Sequence, residues 1–268
     1  MLEERTSAIV LRGRPHGESD KIVTFLTKDW GKITGIAKGA KRSQRRFVNV
    51  LEPFTHVQLR FRPSRPTHAD ELAFIFGCDL LQSFRGPSRD LQRFALASYC
   101  SELIDVMVTG QEAGEEIYAL LLDSLQGLET TEPISPTFLP TFELLLLTHT
   151  GYAPHLSDCQ QCGRAVAELA SQWVFAPSLG GLLCARCHDR GGATLLLSSE
   201  TVHLLAVSRN AAITAVLSTT ASPRVAKELR ALAGGMLSRH LHRPLKSRVF
   251  LEQVHLFTED SVDAPAEE

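Results

Sequence analysis

The segment that decides the fold of this chain is Cys159-Gln-Gln-Cys162, which is followed after 21 residues by Cys184-Ala-Arg-Cys187. Each C-x₂-C knuckle can aim two thiolates at one point, and two knuckles offer the four sulfurs that tetrahedral Zn²⁺ prefers. Because four thiolates leave no open coordination position, the sequence predicts a structural zinc site rather than a catalytic one.

The sequence leaves other roles open for these cysteines. A pair of disulfides is the main alternative, but disulfides are typical of small secreted proteins, whereas this chain has 268 residues and only six cysteines. A zinc-dependent hydrolase is a second alternative and requires an open coordination position. His155 and His188 flank the knuckles and are expected to be neighbours of the site rather than ligands.

The composition allows a large buried core. Apolar residues make up 44% of the chain, and no run approaches the eighteen apolar residues of a membrane span. The first residues, Met1-Leu-Glu-Glu, are acidic where a signal peptide is basic. We therefore expect a soluble, cytoplasmic protein in which Cys78 and Cys100 are reduced core residues.

The net charge of −2 hides an asymmetry along the chain. Residues 1–80 carry fourteen lysines and arginines against nine acidic residues, and the remainder carries fourteen against twenty-one. The first part is therefore +5 and the second −7, which indicates two parts with different tasks.

Five short β-rich runs in the first eighty residues predict a small β-barrel. Turn residues separate the runs, for example Gly13 to Gly17 and Pro63 to Pro66. An OB-type barrel fits this number of strands, and an SH3-like barrel fits it nearly as well. The runs are Ser7–Leu11, Ile22–Thr27, Lys32–Ala37, Val57–Phe61 and Leu72–Phe76.

A basic segment lies between the third and fourth runs. Residues 38–46 contain five cations and no acid, and such a segment can follow a phosphate backbone while releasing condensed counterions. A solvated charged loop is the alternative, but further cations of the predicted barrel favour phosphate binding. The predicted DNA-binding residues are Lys38, Lys41, Arg42, Arg45, Arg46, Arg14, Arg60 and Arg62.

The same region contains aromatic residues and one cluster of polar residues. Trp30, Phe47, Phe54 and Phe61 are candidates for stacking on bases, although burial in a barrel core is the more common role. His16-Gly-Glu-Ser-Asp20 combines groups used in acid–base catalysis, but a turn between strands uses the same residue types for local hydrogen bonds. Neither a phosphate-binding glycine loop nor a His-Glu-x-x-His motif occurs. We expect no enzymatic activity.

Beyond residue 85 the apolar residues recur with a period of about 3.6, which predicts helices. Three are expected within residues 91–107, 117–128 and 141–150, Ser199 is expected to cap a fourth, and Ser222-Pro223 to begin a fifth. The prediction is a multidomain α+β chain. It has an OB-fold domain at 1–80, a helical domain at 85–257 with the zinc element inserted at about 155–192, and an acidic disordered tail at 258–268.

Several short motifs then identify a family by their order. Together they resemble the RecO family of bacterial recombination mediators over about residues 6–251. The motifs are Ala8-Ile-Val-Leu11, Gly17-Glu-Ser-Asp20, Ala37-Lys-Gly-Ala40 with its basic run, Phe142-Glu-Leu-Leu, Gly151-Tyr-Ala-Pro154, the two cysteine knuckles and Leu245-Lys-Ser-Arg248.

The resemblance implies an N-terminal OB fold, a helical C-terminal domain and a non-enzymatic function in DNA repair and recombination. Family members bind single-stranded DNA and its binding protein SSB, anneal complementary strands and, with RecR, help to load RecA. In relatives a pocket of the helical domain receives the acidic SSB tail, and some relatives lack the zinc ligands. Candidates for that partner contact here are Arg85, Arg89 and Arg93.

The expected mechanism is electrostatic: the basic segment neutralises phosphates, so that two complementary strands can approach on one protein surface. Binding of double-stranded DNA and association with the nucleoid are compatible with it. Arg164, Arg186 and Arg190 near the cysteines permit a DNA contact of the zinc element without establishing one. The alternative function is a zinc-ribbon adaptor that binds only proteins and has no annealing activity.

Overall fold

The computed structural model describes residues 3–63, 72–110, 114–165, 173–188, 194–208, 213–217, 221–241 and 243–260. The chain forms two compact units. The first comprises Met1–Glu129 and Leu245–Glu268, and the second comprises Thr130–Pro244. The predicted division between residues 80 and 85 falls inside the first unit. Among the described residues, no helix is both long enough and apolar enough to span a membrane.

The first unit contains a closed five-stranded barrel, which agrees with the predicted OB-type fold. The strands are β1 (Glu4–His16), β2 (Asp20–Thr27), β3 (Gly31–Ala37), β4 (Thr55–Arg62) and β5 (Ala73–Ser83). They follow the order β1-β2-β3-β5-β4, and β1 pairs with β4 to close the barrel. β3 pairs with β5 in parallel, whereas the other four pairings are antiparallel.

All five predicted strands are present and each is longer than its β-rich run, β1 and β5 by the largest margins. β1 continues to His16, with Gly13 paired to Val23, so the predicted turn from Gly13 begins only at Gly17. β5 continues to Ser83 because β4 provides a hydrogen-bonding partner along its whole length. Alternation of buried and exposed residues is clearest in β4, where every second side chain faces the core.

The helices of this unit include the two that the periodicity predicted, and two further helices in addition. The predicted helix at 91–107 is α2 (Leu91–Met107), whose N-cap Asp90 accepts a hydrogen bond from the Arg93 amide at 2.8 Å. A short α1 (Gly86–Arg89) precedes it, and α3 (Glu115–Thr130) contains the second predicted stripe. α8 (Lys246–Asp260) packs on α2. It runs past residue 258, where the disordered tail was predicted to begin, and residues 261–268 lie outside the described part.

The second unit combines helices with a small sheet. Its sheet has the order β7-β6-β8, built from β6 (Trp173–Ala176), β7 (Gly181–Leu183) and β8 (Leu195–Leu197). The helices are α4 (Phe138–His149), α5 (Ser199–Ser208), α6 (Ile213–Leu217) and α7 (Pro223–Leu237). α4 packs on α6 and α7, and α5 packs on α7.

Helix capping in this unit agrees with the sequence at one helix and differs by one residue at another. Ser222 caps α7 as predicted, accepting a hydrogen bond from the Val225 amide, with Pro223 in the first turn. At α5 the capping oxygen belongs to Ser198 rather than Ser199, because the Thr201 amide donates to Ser198 Oγ at 3.3 Å. Two adjacent serines made this position ambiguous from sequence alone.

Candidate nucleic-acid interface and metal centre

The basic segment between β3 and β4 forms an exposed loop that is anchored to the barrel. Its five cations Lys38, Lys41, Arg42, Arg45 and Arg46 are all exposed. The loop is fixed at its ends: Ala40 is buried within a short 3₁₀ turn, and Phe47 is inserted into the barrel core at 5% exposure. The barrel therefore holds the loop in a defined position with its cations exposed. We call residues 38–46 the basic loop.

The turn between β1 and β2 braces the basic loop. The Gly39 amide donates a hydrogen bond to Asp20 Oδ1 at 2.8 Å, the Lys41 amide donates to the Ser19 carbonyl oxygen, and Lys41 Nζ donates to the Gly17 carbonyl oxygen at 2.8 Å. The amide of Gly39 and the hydroxyl of Ser19 lower the pKa of Asp20. Ser19 and Asp20 of this turn thus make local hydrogen bonds, which is the role expected of such residues in a turn between strands.

The far end of the loop is also held by local contacts. Ser43 Oγ accepts hydrogen bonds from the amides of Arg46 and Phe47, at 3.1 and 3.2 Å. The Arg46 guanidinium donates to the Lys38 carbonyl oxygen at 3.2 Å and lies 5.2 Å from the Phe47 ring centroid. Arg42 and Arg45 point outward between these anchor points and are exposed.

The three other predicted DNA-binding arginines have different surroundings. Arg14 is exposed on β1, and Arg62 is exposed at the end of β4 with its guanidinium 5.5 Å from the Phe74 ring centroid. Arg60 is half-buried, 3.6 Å from a carboxylate oxygen of Glu3 and 3.9 Å from one of Asp79. Two acidic neighbours make Arg60 the least suited of the three to a phosphate.

Of the four aromatic residues singled out from the sequence, Phe47 and Phe61 belong to the barrel core, Trp30 packs against that core, and Phe54 is buried beside Phe94 of α2. Phe47, Phe54 and Phe61 are 5, 7 and 0% exposed, and Trp30 packs edge-on against Phe61 with ring centroids 5.6 Å apart. Burial, the commoner role of barrel aromatics, therefore applies to the three phenylalanines, and Trp30 is partly buried.

Two other phenylalanines face outward and were missed by the sequence reasoning. Phe74 and Phe76 on β5 are half-buried and contact each other edge to face, with centroids 5.0 Å apart. Residues of one strand separated by two share a face, and Ile75 between them is fully buried. The alternation Phe-Ile-Phe within the fifth run was the signal that could have identified this outward pair. Together with Arg62, it forms what we call the β5 aromatic face.

The four cysteines of the two knuckles converge as predicted. The Sγ atoms of Cys159, Cys162, Cys184 and Cys187 all lie within 4.8 Å of one another, and three of the four residues are buried. Among the residues that the structure describes, this is the group of metal-ligating side chains that could hold an ion. Four sulfurs at this spacing fit a metal that prefers thiolates.

Backbone geometry explains why the knuckles converge. Gly163 has φ +71°, a conformation that favours glycine, and its amide donates to the Cys159 carbonyl oxygen at 2.8 Å to close the first turn. The Gln160 amide donates to the Leu182 carbonyl oxygen at 2.9 Å, which holds the first knuckle beside β7 and brings it to the second. A side chain on Gly181 would collide with Gln160, so this close approach requires glycine.

The environment of the cysteines distinguishes their thiols. Burial raises the pKa of Cys159, but hydrogen bonds from the backbone amides of Cys184, Cys162 and Gln161 outweigh it and bring the pKa to about 6. The contact with the Cys184 sulfur raises the pKa of the Cys187 thiol to about 12. The Cys159 thiol therefore loses its proton readily, whereas four thiolates in this cluster are unfavourable unless a cation is bound.

The neighbouring histidines make contacts of their own. His155 Nε2 lies 2.9 Å from a carboxylate oxygen of Asp158, and the hydrogen bond with His155 is the main cause that lowers the pKa of Asp158. His188 Nδ1 lies 2.8 Å from the Ala185 carbonyl oxygen. Of the other cations near the cysteines, Arg164 is half-buried, Arg186 is exposed and Arg190 lies outside the described residues.

The three arginines proposed for partner binding are not equivalent. Arg85 and Arg89 are exposed at the two ends of α1. Arg93 is 7% exposed, and its guanidinium donates a hydrogen bond to the Leu128 carbonyl oxygen at the end of α3. In this structure Arg93 joins two helices of the first unit and does not present its charge at the surface.

The second unit contains an apolar pocket. It lies among α4, α5, α7 and the chain that follows α4, and leucines form most of its wall. The lining residues are Thr141, Leu144, Leu145, Thr148, Pro154, Leu156, Leu205 and Leu229. Such a pocket can accept the apolar side chains of a peptide or small molecule.

Comparison with known proteins gives a consistent result over both units. The family model described as "Recombination protein O N terminal" matches residues 1–84, and that described as "Recombination protein O C terminal" matches residues 88–249. The DNA repair protein RecO of Geobacter metallireducens is 35% identical over 258 residues, which cover 95% of this chain and 99% of the relative. That of Nocardioides sp. is 36% identical over 251 residues, 93% and 99% of the two chains. That of Anaeromyxobacter sp. strain K is 33% identical over 250 residues, 93% and 96%.

Proposed function

The chain belongs to the RecO family, and from that premise we propose that it is a DNA repair and recombination mediator that binds single-stranded DNA and anneals complementary strands. The observation that carries the proposal is the basic loop. Its five cations are exposed, and the loop is anchored at both ends to an OB-type barrel. Barrels of this type commonly bind single strands. The reaction breaks no covalent bond, so the protein acts without catalytic residues.

The loop supports annealing through electrostatics. Each cation that contacts a phosphate releases condensed counterions, and this lowers the repulsion between two strands held on one surface. Base pairing then supplies the free energy, since stacking contributes on average about 1.4 kcal/mol per base-pair step. Double-stranded DNA offers the same phosphates, so the loop also suits the product of annealing.

The β5 aromatic face supplies a second kind of contact to a single strand. Bases can stack on Phe74 and Phe76, and Arg62 beside them can reach a phosphate. Stacking on rings is tolerant of sequence, as an annealing protein requires. We therefore assign the β5 aromatic face, rather than the buried Phe47, Phe54 and Phe61, as the stacking surface of the barrel.

The cysteine cluster is proposed to hold a structural Zn²⁺. When bound, the ion supplies the positive charge that lets four thiolates share one small volume. The chain provides the ligands from two knuckles that backbone hydrogen bonds already bring together. The ion thereby stabilises the small sheet that carries β7 and has no part in a chemical step.

Protein partners complete the proposed role. SSB, RecR and, through RecR, RecA are the expected partners of a RecO-like mediator in the bacterial cytoplasm, where the protein is associated with the nucleoid. The apolar pocket of the second unit is a candidate site for a partner's apolar side chains, and Arg85 and Arg89 are exposed cations suited to the acidic SSB tail. Each of these contacts is separable by mutation from the basic loop.

The proposal is tested by the salt dependence of single-strand binding. Arg42→Ala with Arg45→Ala removes two exposed loop cations, and Lys227→Ala with Arg230→Ala removes two exposed cations of α7 as a matched control. We expect the slope of log K against log salt to fall by about 0.7 for each lost phosphate contact, in the loop variant only. Fluorescence anisotropy of a labelled oligothymidylate measures it. A wild-type protein that binds no single strand at low salt would favour the protein-only adaptor.

A further inference from the structure

The second unit exposes an aromatic pair that the proposed function does not use. The rings of Tyr152 and His240 lie with centroids 3.9 Å apart and planes inclined by 35°. Tyr152 nevertheless remains 47% exposed. Its residue belongs to the Gly151-Tyr-Ala-Pro154 motif, whose chemical role the sequence did not reveal.

Both rings are held by the ends of helices. Gly151, with φ +86°, ends the turn after α4, and the Tyr152 amide then donates to the Leu147 carbonyl oxygen at 2.7 Å. The His240 amide donates to the Leu237 carbonyl oxygen at 2.9 Å, in the turn that follows α7. Because α4 packs on α7, the two rings meet without a long loop between them. Such a pair needs little ordering before it binds a ligand.

Exposed cationic residues lie on either side of His240 in the chain, and one of them contacts the turn between β6 and β7. Arg239 is exposed, and its Nη1 donates to the Pro177 carbonyl oxygen at 2.8 Å and to that of Ser178. A guanidinium has five donor hydrogens, and both of these contacts use Nη1. Leu179, in the same turn between β6 and β7, is 53% exposed, and Arg243 is exposed four residues after Arg239. We call Tyr152, His240 and the two exposed arginines that flank His240 in the chain, Arg239 and Arg243, the aromatic surface.

We propose that the aromatic surface is a second binding site for single-stranded nucleic acid, at which a base stacks on Tyr152 and the adjoining phosphates contact Arg239 and Arg243. The inference rests on the proposed function, since it adds a contact to a strand that the basic loop also binds. An exposed ring backed by a second ring gives a flat face for any base, and the arginines give the charge that its phosphate needs. The site is not selective for sequence, because every base has a stacking face.

Crosslinking and affinity measurements on the full-length protein test the site. A 5-iodouracil-substituted oligothymidylate, irradiated in the complex, forms covalent adducts with aromatic residues stacked on it, and mass spectrometry of peptides locates them. We expect adducts on Tyr152 or His240 in the wild-type protein. Tyr152→Leu should weaken binding roughly fivefold to hundredfold at every salt concentration, while Tyr152→Phe keeps the ring and the affinity.

The salt dependence of binding distinguishes the contact at the aromatic surface from the contact at the basic loop. Tyr152→Leu removes no cation, so the slope of log K against log salt stays at the wild-type value, whereas the basic-loop variant lowers that slope. Normal strand binding without adducts on the aromatic surface, together with wild-type affinity in Tyr152→Leu, would overturn the inference and assign this surface to a protein partner or to none. Absence of any strand binding by the wild-type protein would overturn the proposed function and the inference together. The thermal unfolding midpoint of each variant shows whether it is folded, and the wild-type adducts do not depend on a variant.

Discussion

Arg12 and Asp105 are 93 residues apart in the chain, yet Arg12 Nε donates a hydrogen bond of 2.6 Å to Asp105 Oδ2. The carboxylate is 8% exposed and also lies 3.4 Å from Lys32 Nζ, which donates to the Asp105 carbonyl oxygen at 2.6 Å. One acidic residue near the end of α2 thus links two strands of the barrel to that helix. This link is one reason why the first unit extends beyond the predicted barrel boundary at residue 80.

Asp105→Ala should therefore destabilise the first unit. Removal of the carboxylate leaves Lys32 without its acidic partner in a largely buried position, and we expect a loss of about 1–2 kcal/mol in the free energy of unfolding. Urea unfolding measures the loss. Glu252→Ala, which breaks the exposed pair with Arg248 at 3.2 Å, is the control and should cost less than about 0.5 kcal/mol. Equal losses in the free energy of unfolding would show that the Asp105 link stabilises the protein no more than an exposed ion pair does.

Gly35→Ala should destabilise the barrel where β3 meets β5. A Cβ atom at residue 35 would lie 2.8 Å from Ile75 Cγ1 and 2.9 Å from the Ala73 carbonyl oxygen, and both belong to the paired strand. Overpacking of this kind costs about 1–3 kcal/mol. Gly234→Ala is the matched control, because nothing lies within 4 Å of its added carbon in α7, and it should stabilise by about 0.4–1 kcal/mol. Thermal unfolding of both variants measures these changes in stability. A Gly35→Ala protein as stable as the wild type would contradict the close contact between β3 and β5.

Loss of one cysteine should abolish metal binding. Cys184→Ser replaces a buried cysteine whose Sγ lies 3.8 Å from the Sγ of Cys162. The backbone amide of Cys184 donates a hydrogen bond to the Cys159 sulfur. We expect one Zn²⁺ per wild-type chain and far less in the variant, measured by metal analysis of the purified proteins. Cys100→Ser, at a buried cysteine of α2, is the control and should retain the metal. Equal metal content in the two variants would exclude the four-cysteine site.

Glu228 should make the second unit sensitive to acid. Burial raises its pKa, but hydrogen bonds from the Thr201 hydroxyl, the Ser198 amide and the Arg224 guanidinium outweigh burial and lower the pKa from 4.5 to about 2. A carboxyl with a lowered pKa in the folded state stabilises the fold above its ordinary pKa, and this contribution is lost as pH falls from about 4.5 towards 2.

The corresponding variant is Glu228→Gln, which removes the charge at every pH. The wild-type protein should be more stable than the variant at pH 7, and the difference in the free energy of unfolding should shrink between pH 4.5 and 3. Urea unfolding at several pH values measures this difference. A difference that is independent of pH would show that Glu228 does not titrate with a lowered pKa.

The sequence predicted the elements more reliably than their limits. Period-two alternation located all five barrel strands, and the period of 3.6 located α2 to α4, because these patterns reflect which faces are buried. Long-range pairing was not visible in either pattern. The extension of β5 to Ser83 depends on β4, and the inclusion of α2 and α8 in the first unit depends on contacts such as Arg12 with Asp105 and Glu102 with Ser247.

The candidate sites also differ in how far the sequence predicted them. The cysteine cluster was predictable because two short knuckles carry all its ligands. The aromatic residues were not, since hydrophobic residue type does not distinguish a core ring such as Phe61 from an outward ring such as Phe74 without the register of the strand. The pair of Tyr152 with His240 joins residues 88 positions apart, so no local pattern could indicate it.

Annealing of complementary strands precoated with SSB shows most directly whether the basic loop supports annealing. Annealing by the wild-type protein is compared with that of a variant carrying alanine at Lys38, Lys41, Arg42, Arg45 and Arg46, with the Lys227→Ala and Arg230→Ala protein as control. Unfolding midpoints and metal content must match between the proteins. We expect rapid annealing by the wild type and the control and almost none by the loop variant. Equal annealing by all three proteins would contradict this expectation.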